Sequence, residues 1–155
     1  MVRRRGPVAL ALLFALIALS LVVVQLGLPV WTGSDRATVT VSDGERTLAT
    51  VDAAVADSPG ERYTGLSDHE NLAEDEGMLF VFAEEGERAF VMREMAFGID
   101  ILFVSDEGEI TAIYEAPADS DERYVGDARW VLEVRKGYAA ENGIDVGDEV
   151  EIEYH

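Results

Sequence analysis

Met78-Leu79-Phe80-Val81-Phe82-Ala83-Glu84-Glu85-Gly86-Glu87-Arg88-Ala89-Phe90-Val91-Met92 is two apolar runs with an acidic, glycine-containing turn between them. Each run is too short for a helix and rich in aromatic or β-branched residues, which reads as strand. Glu85-Gly86 is read as the turn that sends Met78–Phe82 back as Arg88–Met92. The same rhythm continues in both directions. Ile99–Val104 is apolar apart from Asp100, and Asp106-Glu107-Gly108 turns it into Glu109–Glu115. Upstream, Ala37–Val41 and Arg46–Ala56 flank the hairpin signal Asp43-Gly44. Towards the C-terminus, Ala128–Val134 alternates, with Trp130, Leu132 and Val134 on one face. Glu149–Tyr154 alternates too, with Val150, Ile152 and Tyr154 expected inward and three glutamates outward.

Two short helices punctuate the strands. Ser58-Pro59-Gly60-Glu61 has a capping serine, a proline at the first helical position and a glutamate placed to close a capping box; the helix should run to about Leu66. Gly137–Asn142 reads as one helical turn closed by Gly143. The expected fold is mainly β, a β-sandwich or barrel-like arrangement of about eight short strands with one or two short helices. No βαβ spacing is visible, so a doubly wound sheet is not expected.

The N-terminus differs in kind. Pro7 to Trp31 carries no charge, and Val8 to Leu28 is almost wholly Ala, Leu, Ile, Val and Phe. About 20 such residues suffice to cross a bilayer core. Arg3, Arg4 and Arg5 precede the run and should stay in the cytoplasm. A cleaved signal peptide has a shorter apolar region and a small-residue cleavage site, and Leu28-Pro29-Val30-Trp31 offers none. The expected organisation is a basic head (1–7), a transmembrane signal anchor (8–30) in the lipid bilayer, a linker (31–36) and a globular domain (37–155) outside the cytoplasm.

The chain of 155 residues has 12 basic and 31 acidic residues, a net charge of −19. From Thr32 onward, nine basic residues against all 31 acids leave −22, with Lys136 the only lysine. Such a surface has no basic footprint for nucleic acid. It resembles the acidic, lysine-poor surfaces of proteins from salt-loving organisms. At low salt the self-repulsion is unscreened, whereas at molar salt the Debye length falls to about 3 Å. Cooperative melting is therefore expected in molar potassium chloride and not at low salt. A melting temperature unchanged between the two, followed by circular dichroism, overturns the expectation.

Chemistry-bearing motifs are sparse. Cysteine is absent, and one of two histidines is the last residue, His155. No phosphate-binding glycine loop and no G-x-S-x-G elbow occurs. No catalytic constellation, metal set or cofactor motif is read. Asp100 stands out because a charge within an apolar run must be paired, hydrogen-bonded or at a pocket. It is either a structural salt bridge or strand-end cap, or a ligand contact. Arg62 on the short helix either pairs with Asp100 or faces solvent, and His69, in the loop after that helix, either lies at the surface or joins a site. Arg93 and Arg129, scarce cations in an acidic domain, either hold an internal carboxylate or bind an anionic ligand.

The order of segments carries a resemblance. Glu61-Arg62-Tyr63-Thr64-Gly65-Leu66-Ser67 is followed by Gly77–Phe82, Phe90-Val91-Met92-Arg93, Ile99-Asp100-Ile101-Leu102-Phe103, Ala128-Arg129-Trp130-Val131-Leu132-Glu133 and Gly143-Ile144-Asp145-Val146-Gly147-Asp148. Together these resemble the DUF192 family of small domains. The resemblance implies a compact β-dominated fold over about Val51 to Ile152 and implies no reaction. Where the family often has Phe-Trp-Met-Lys-Asn-Thr, this chain has Phe90-Val91-Met92-Arg93-Glu94-Met95, so the polar Asn-Thr pair is lost. The family often has proline at Gly98 and arginine at His69.

The expected function is a membrane-anchored, non-enzymatic module outside the cytoplasm that binds a small molecule or an envelope protein near Arg62, His69, Asp100 and Arg129. The alternatives are an envelope-acting hydrolase with Asp100 or His69 as its acid–base group, and a structural role in envelope assembly.

Overall fold

The computed structural model describes residues 35–155. The expected head, membrane segment and nearly all of the linker lie outside the described residues. Among the described residues, no helix is long and apolar enough to cross a membrane.

The elements are β1 (Arg36–Ser42), β2 (Thr47–Ala56), α1 (Pro59–Thr64), β3 (Glu76–Phe90), β4 (Ile99–Val104), β5 (Ile110–Ala116), β6 (Tyr124–Arg135), α2 (Tyr138–Asn142) and β7 (Glu149–Tyr154). The strands form one sheet in the order β5-β4-β6-β3-β2-β1-β7. Its two outer strands meet again at one end. Glu109 bridges Glu149, the Ile110 N–H donates to the Asp148 carbonyl at 2.9 Å, and the Val150 N–H donates to the Gly108 carbonyl at 2.7 Å. The sheet is thus curled on itself, barrel-like. A two-sheet sandwich is not what forms, because each strand finds its partners in one continuous ladder.

Among the described residues, seven strands replace the eight expected. The two runs on either side of Glu85-Gly86 are one long strand, β3, because both halves pair with the same partner. Val81 lies opposite Trp130 and Gly86 opposite Ala128, so Phe82 to Glu85 bulge out against Arg129 alone. Gly86 is not among the glycines with positive φ, as a tight hairpin turn would favour. A bulge of this kind bends the strand and re-aims its side chains. A second difference lies in the connection from β2 to β3. These strands are parallel, with Ala54 opposite Met78 and Ala56 opposite Phe80. A parallel pair needs a crossover, and α1 with the loop after it supplies one. Its helix is too short to show the periodicity of a βαβ unit.

The helix ends follow the sequence closely. The Glu61 N–H donates to Ser58 Oγ at 3.3 Å, and the Ser58 N–H donates to Glu61 Oε2 at 3.1 Å, closing the capping box. α2 ends at Gly143, whose φ of 65° is left-handed.

The inner face of the curled sheet holds the main core, including Val39, Val51, Leu79, Leu102, Leu132 and Val134, to which α2 adds Tyr138 and Ala139. Val150 and Ile152 pack against it as expected, but Tyr154 is 51 % exposed. Its hydroxyl, at the end of edge strand β7, accepts a hydrogen bond from Trp130 Nε1 at 3.2 Å. The outer face is also covered around β4. All six residues of β4 are buried. Since Leu102 and Val104 face the main core, alternation puts Ile99, Ile101 and Phe103 on the other side. There an aromatic ladder runs from Phe80 through Phe90, Phe103 and Tyr114 to Tyr124, with successive ring centroids 4.9, 5.8, 5.8 and 5.5 Å apart. Gly126 makes room for it: a Cβ there would lie 2.8 Å from the Phe103 ring.

Candidate ligand-binding cleft

On this outer face α1 stands off from the second half of β3 and leaves a cleft of ≈ 340 Å³. That volume falls within the range of small-molecule sites, about 300–1,000 Å³. α1 and the residues after it contribute Arg62, Tyr63 and Leu66; β3 contributes Phe80, Phe82, Glu87, Arg88 and Phe90. The segment between β3 and β4 adds Val91, Arg93 and Met95, while Ile99 and Glu133 line it from β4 and β6.

Three arginines mark the opening, each fixed by backbone carbonyls and an aromatic ring. Arg62 Nη1 donates to the Val81 carbonyl at 3.0 Å and to the Asp57 carbonyl. Arg88 donates from Nε to the Ala128 carbonyl at 3.2 Å and from Nη2 to the Glu84 carbonyl at 2.6 Å. Both guanidiniums lie over the Phe82 ring, at 5.1 and 4.1 Å from its centroid. Arg93 Nη2 donates to the Tyr63 carbonyl at 2.7 Å, and its guanidinium sits 4.0 Å from the Tyr63 ring centroid. A guanidinium has five N–H donors, so each of these keeps some for a ligand. Tyr63 and Val91, 71 % and 58 % exposed, form an apolar rim.

Glu133 is the opposite case. It is 6 % exposed, and its cross-strand neighbours are Met78 on β3 and Ile101 on β4. Among the described residues nothing gives its carboxyl a hydrogen bond or an ion pair. Burial alone pushes its pKa up to about 8, because transfer from water penalises the charged form. At neutral pH it is mainly a protonated acid and therefore an O–H donor facing the cleft.

The four residues expected to form a site are not brought together in the cleft. Only Arg62 lines it. Asp100 is on the opposite face of β4, 2 % exposed. Its Oδ1 accepts from the Gly137 N–H and its Oδ2 from the Ala139 N–H, both at 2.9 Å. Burial raises its pKa and these two N–H groups oppose the rise. The carboxylate caps the start of α2, a structural role different from the salt bridge or strand-end cap expected. His69 lies in the turn after α1, its N–H donating to the Leu66 carbonyl at 3.0 Å. Arg129 lies opposite the β3 bulge, its guanidinium 4.8 Å from the Trp130 ring centroid. The Asp100–His69 pair of the hydrolase reading thus has neither member in the cleft. Among the described residues no three histidine or acidic side chains converge as a metal set.

Arg93 carried a visible signal as a scarce cation. Glu133 carried one as well: it interrupts the apolar run Val131–Val134, as Asp100 interrupts Ile99–Val104. Nothing local marks Phe82, which lies in the bulge, or Arg88, which lies in the paired half of β3 beyond it. Glu94, beside Arg93, has φ of 57°, a left-handed conformation that glutamate takes only with strain. Glu94→Asn should therefore raise stability by about 0.5–1 kcal/mol in denaturant titration. An unchanged or lower midpoint overturns that expectation.

A model of the DUF192 family, described as an uncharacterized ACR, matches residues 39–152 and so spans every residue of the cleft. No curated protein matches the chain. Among solved structures, a protein of unknown function from Novosphingobium aromaticivorans DSM 12444 is similar, with a TM-score of 0.73 and 27 % identity over 81 % of this chain and 91 % of that one. A protein of Sinorhizobium meliloti 1021, provisionally described as a transcription regulator, is similar with a TM-score of 0.72 and 25 % identity over 79 % of this chain and 97 % of that one.

Proposed function

The chain belongs to the DUF192 family, and on that footing we propose that it is a membrane-held module that binds a small molecule in the cleft between α1 and β3. The supporting observation is Glu133, a buried carboxyl that lines the cleft and has no partner within the described residues. Its carboxyl is not fully sealed from the cleft, so a ligand there can accept its O–H hydrogen bond, worth about 0.5–1.5 kcal/mol net. The arginines beside it favour an anionic group, against a domain whose net charge otherwise repels anions.

The membrane part of the proposal rests on the uncharged segment Val8–Leu28 and on Arg3–Arg5 before it. They orient the domain outside the cytoplasm. N-terminal sequencing of the protein from membranes tests this, and a mature start near Thr32 overturns it. The transcription-regulator description stays with the Sinorhizobium protein, since a domain with a −22 charge offers nucleic acid no basic surface.

Native mass spectrometry of the full chain, extracted in detergent at molar potassium chloride, tests the binding. The parent should retain a small molecule that Arg93→Ala weakens and Glu133→Leu loses. Equal occupancy in all three would place the bound molecule outside the cleft. Empty parent protein, with no response to added organic acids, counts against the binding module altogether.

A further inference from the structure

The two ends of the cleft differ chemically. Its opening carries Arg62, Arg88 and Arg93, while its inner wall carries Glu133 among apolar surfaces that include Phe80 and Ile99, 2 % and 1 % exposed. No cation is close enough to Glu133 to oppose the effect of burial on its proton. A ligand that reaches both ends must therefore meet positive charge outside and a neutral O–H donor inside. We propose that the cleft takes an amphipathic organic anion whose acidic group meets the arginines and whose inner end presents a carbonyl-type acceptor to the Glu133 carboxyl. This rests on the binding role proposed above and specifies its ligand class.

The choice of inner group follows from desolvation. An amine at the inner end would have to form an ion pair with ionised Glu133, and desolvating both charges costs more than their attraction readily returns. A second carboxylate would add an unpaired buried charge. A carbonyl accepts the O–H bond with no charge placed in the dry end. The titratable and charged groups facing Glu133 across the cleft are Arg62 and Tyr63 from α1, Glu87 and Arg88 from β3, and Arg93 from the β3–β4 segment; β4 presents Ile99. Glu133 is the proton donor in this arrangement, so binding should weaken as it ionises.

Calorimetric titration of the full chain in detergent at molar potassium chloride tests this with three probes of one size. 4-Acetylbenzoate has both groups, 4-ethylbenzoate lacks the acceptor, and 4-acetylbenzylamine reverses the charge. At pH 7, 4-acetylbenzoate should bind at least about tenfold more tightly than either of the others, the value of one hydrogen bond or charge contact. Its affinity should fall by about tenfold or more between pH 7 and pH 9.5, as Glu133 passes from acid to carboxylate. Glu133→Gln, with a permanent N–H donor, should remove that fall and keep the preference for the acetyl group. Equal binding of the acetyl and ethyl probes, or a flat pH profile in the parent, overturns the proposal even if the variant fails to fold. Tighter binding of the amine overturns the ligand class but leaves the cleft as a binding site. Absence of binding by all three overturns both.

Discussion

Glu133→Gln should be more stable than the parent at pH 9, and the advantage should disappear below about pH 4. In the folded chain burial holds the Glu133 carboxyl at about 8, against an ordinary value of 4.5. The folded state therefore binds more protons than the unfolded state between those two values. Stability is lost as pH rises wherever the folded state binds the extra proton. The contribution of the neutral acid is fully present below about 4.5, declines through the neutral range and is gone above about 8. Glutamine has nearly the same shape, stays neutral and pays no such penalty. The difference between the two proteins isolates this one titration, because the other carboxylates are common to both. Its upper bound is on the order of 5 kcal/mol, one pKa unit being worth about 1.4 kcal/mol. Denaturant titrations from pH 4 to 9 at fixed molar salt measure it. A difference that does not grow with pH means Glu133 is solvated in solution, and the inner end of the cleft is then not dry.

The second large effect is expected at Asp100. Asp100→Ala removes the acceptor of two N–H groups, from Gly137 and Ala139, that begin α2. Hydrogen bonds to a charged group contribute about 1.5–3 kcal/mol each, and the orphaned buried donors add a desolvation cost. A loss of about 3 kcal/mol is expected, a large fraction of the stability of a domain this size. α2 carries Tyr138 and Ala139 into the main core, so the loss should appear as a lower global melting temperature. Binding of a cleft ligand should be unchanged wherever the variant is folded, because Asp100 faces the other side of the sheet. Weaker binding at an unchanged melting temperature would reinstate Asp100 as a ligand contact.

These two acids show how far the residues could be read in advance. Both interrupt apolar runs, and the rule that buried charge needs a partner applies to both. Asp100 met that rule through backbone donors from a segment 37 and 39 positions away. Alternation puts Glu133 on the face opposite Trp130, Leu132 and Val134, and nothing local says whether that face meets solvent. That face is not open to solvent there: Phe80, Ile101 and Leu66 are all buried, and Glu133 is 6 % exposed. The long β3 was misread for a related reason. Whether Glu85-Gly86 turns the chain or bulges depends on the partner strand, and β6 is long enough to pair with both halves.

By itself the sequence determined what local chemistry controls. It set the β-rich character through short alternating runs, both helix ends through Ser58, Glu61 and Gly143, the acidic surface, and the long uncharged segment before the domain. Tertiary structure alone decided which strands are neighbours, that β2 and β3 run parallel, and which of two sheet faces is covered. Strand periodicity divides side chains between two faces but carries no information about what packs on either. For Glu133 that missing information, Met78 and Ile101 beside it, separates a surface carboxylate from a neutral acid at the inner end of an arginine-lined cleft.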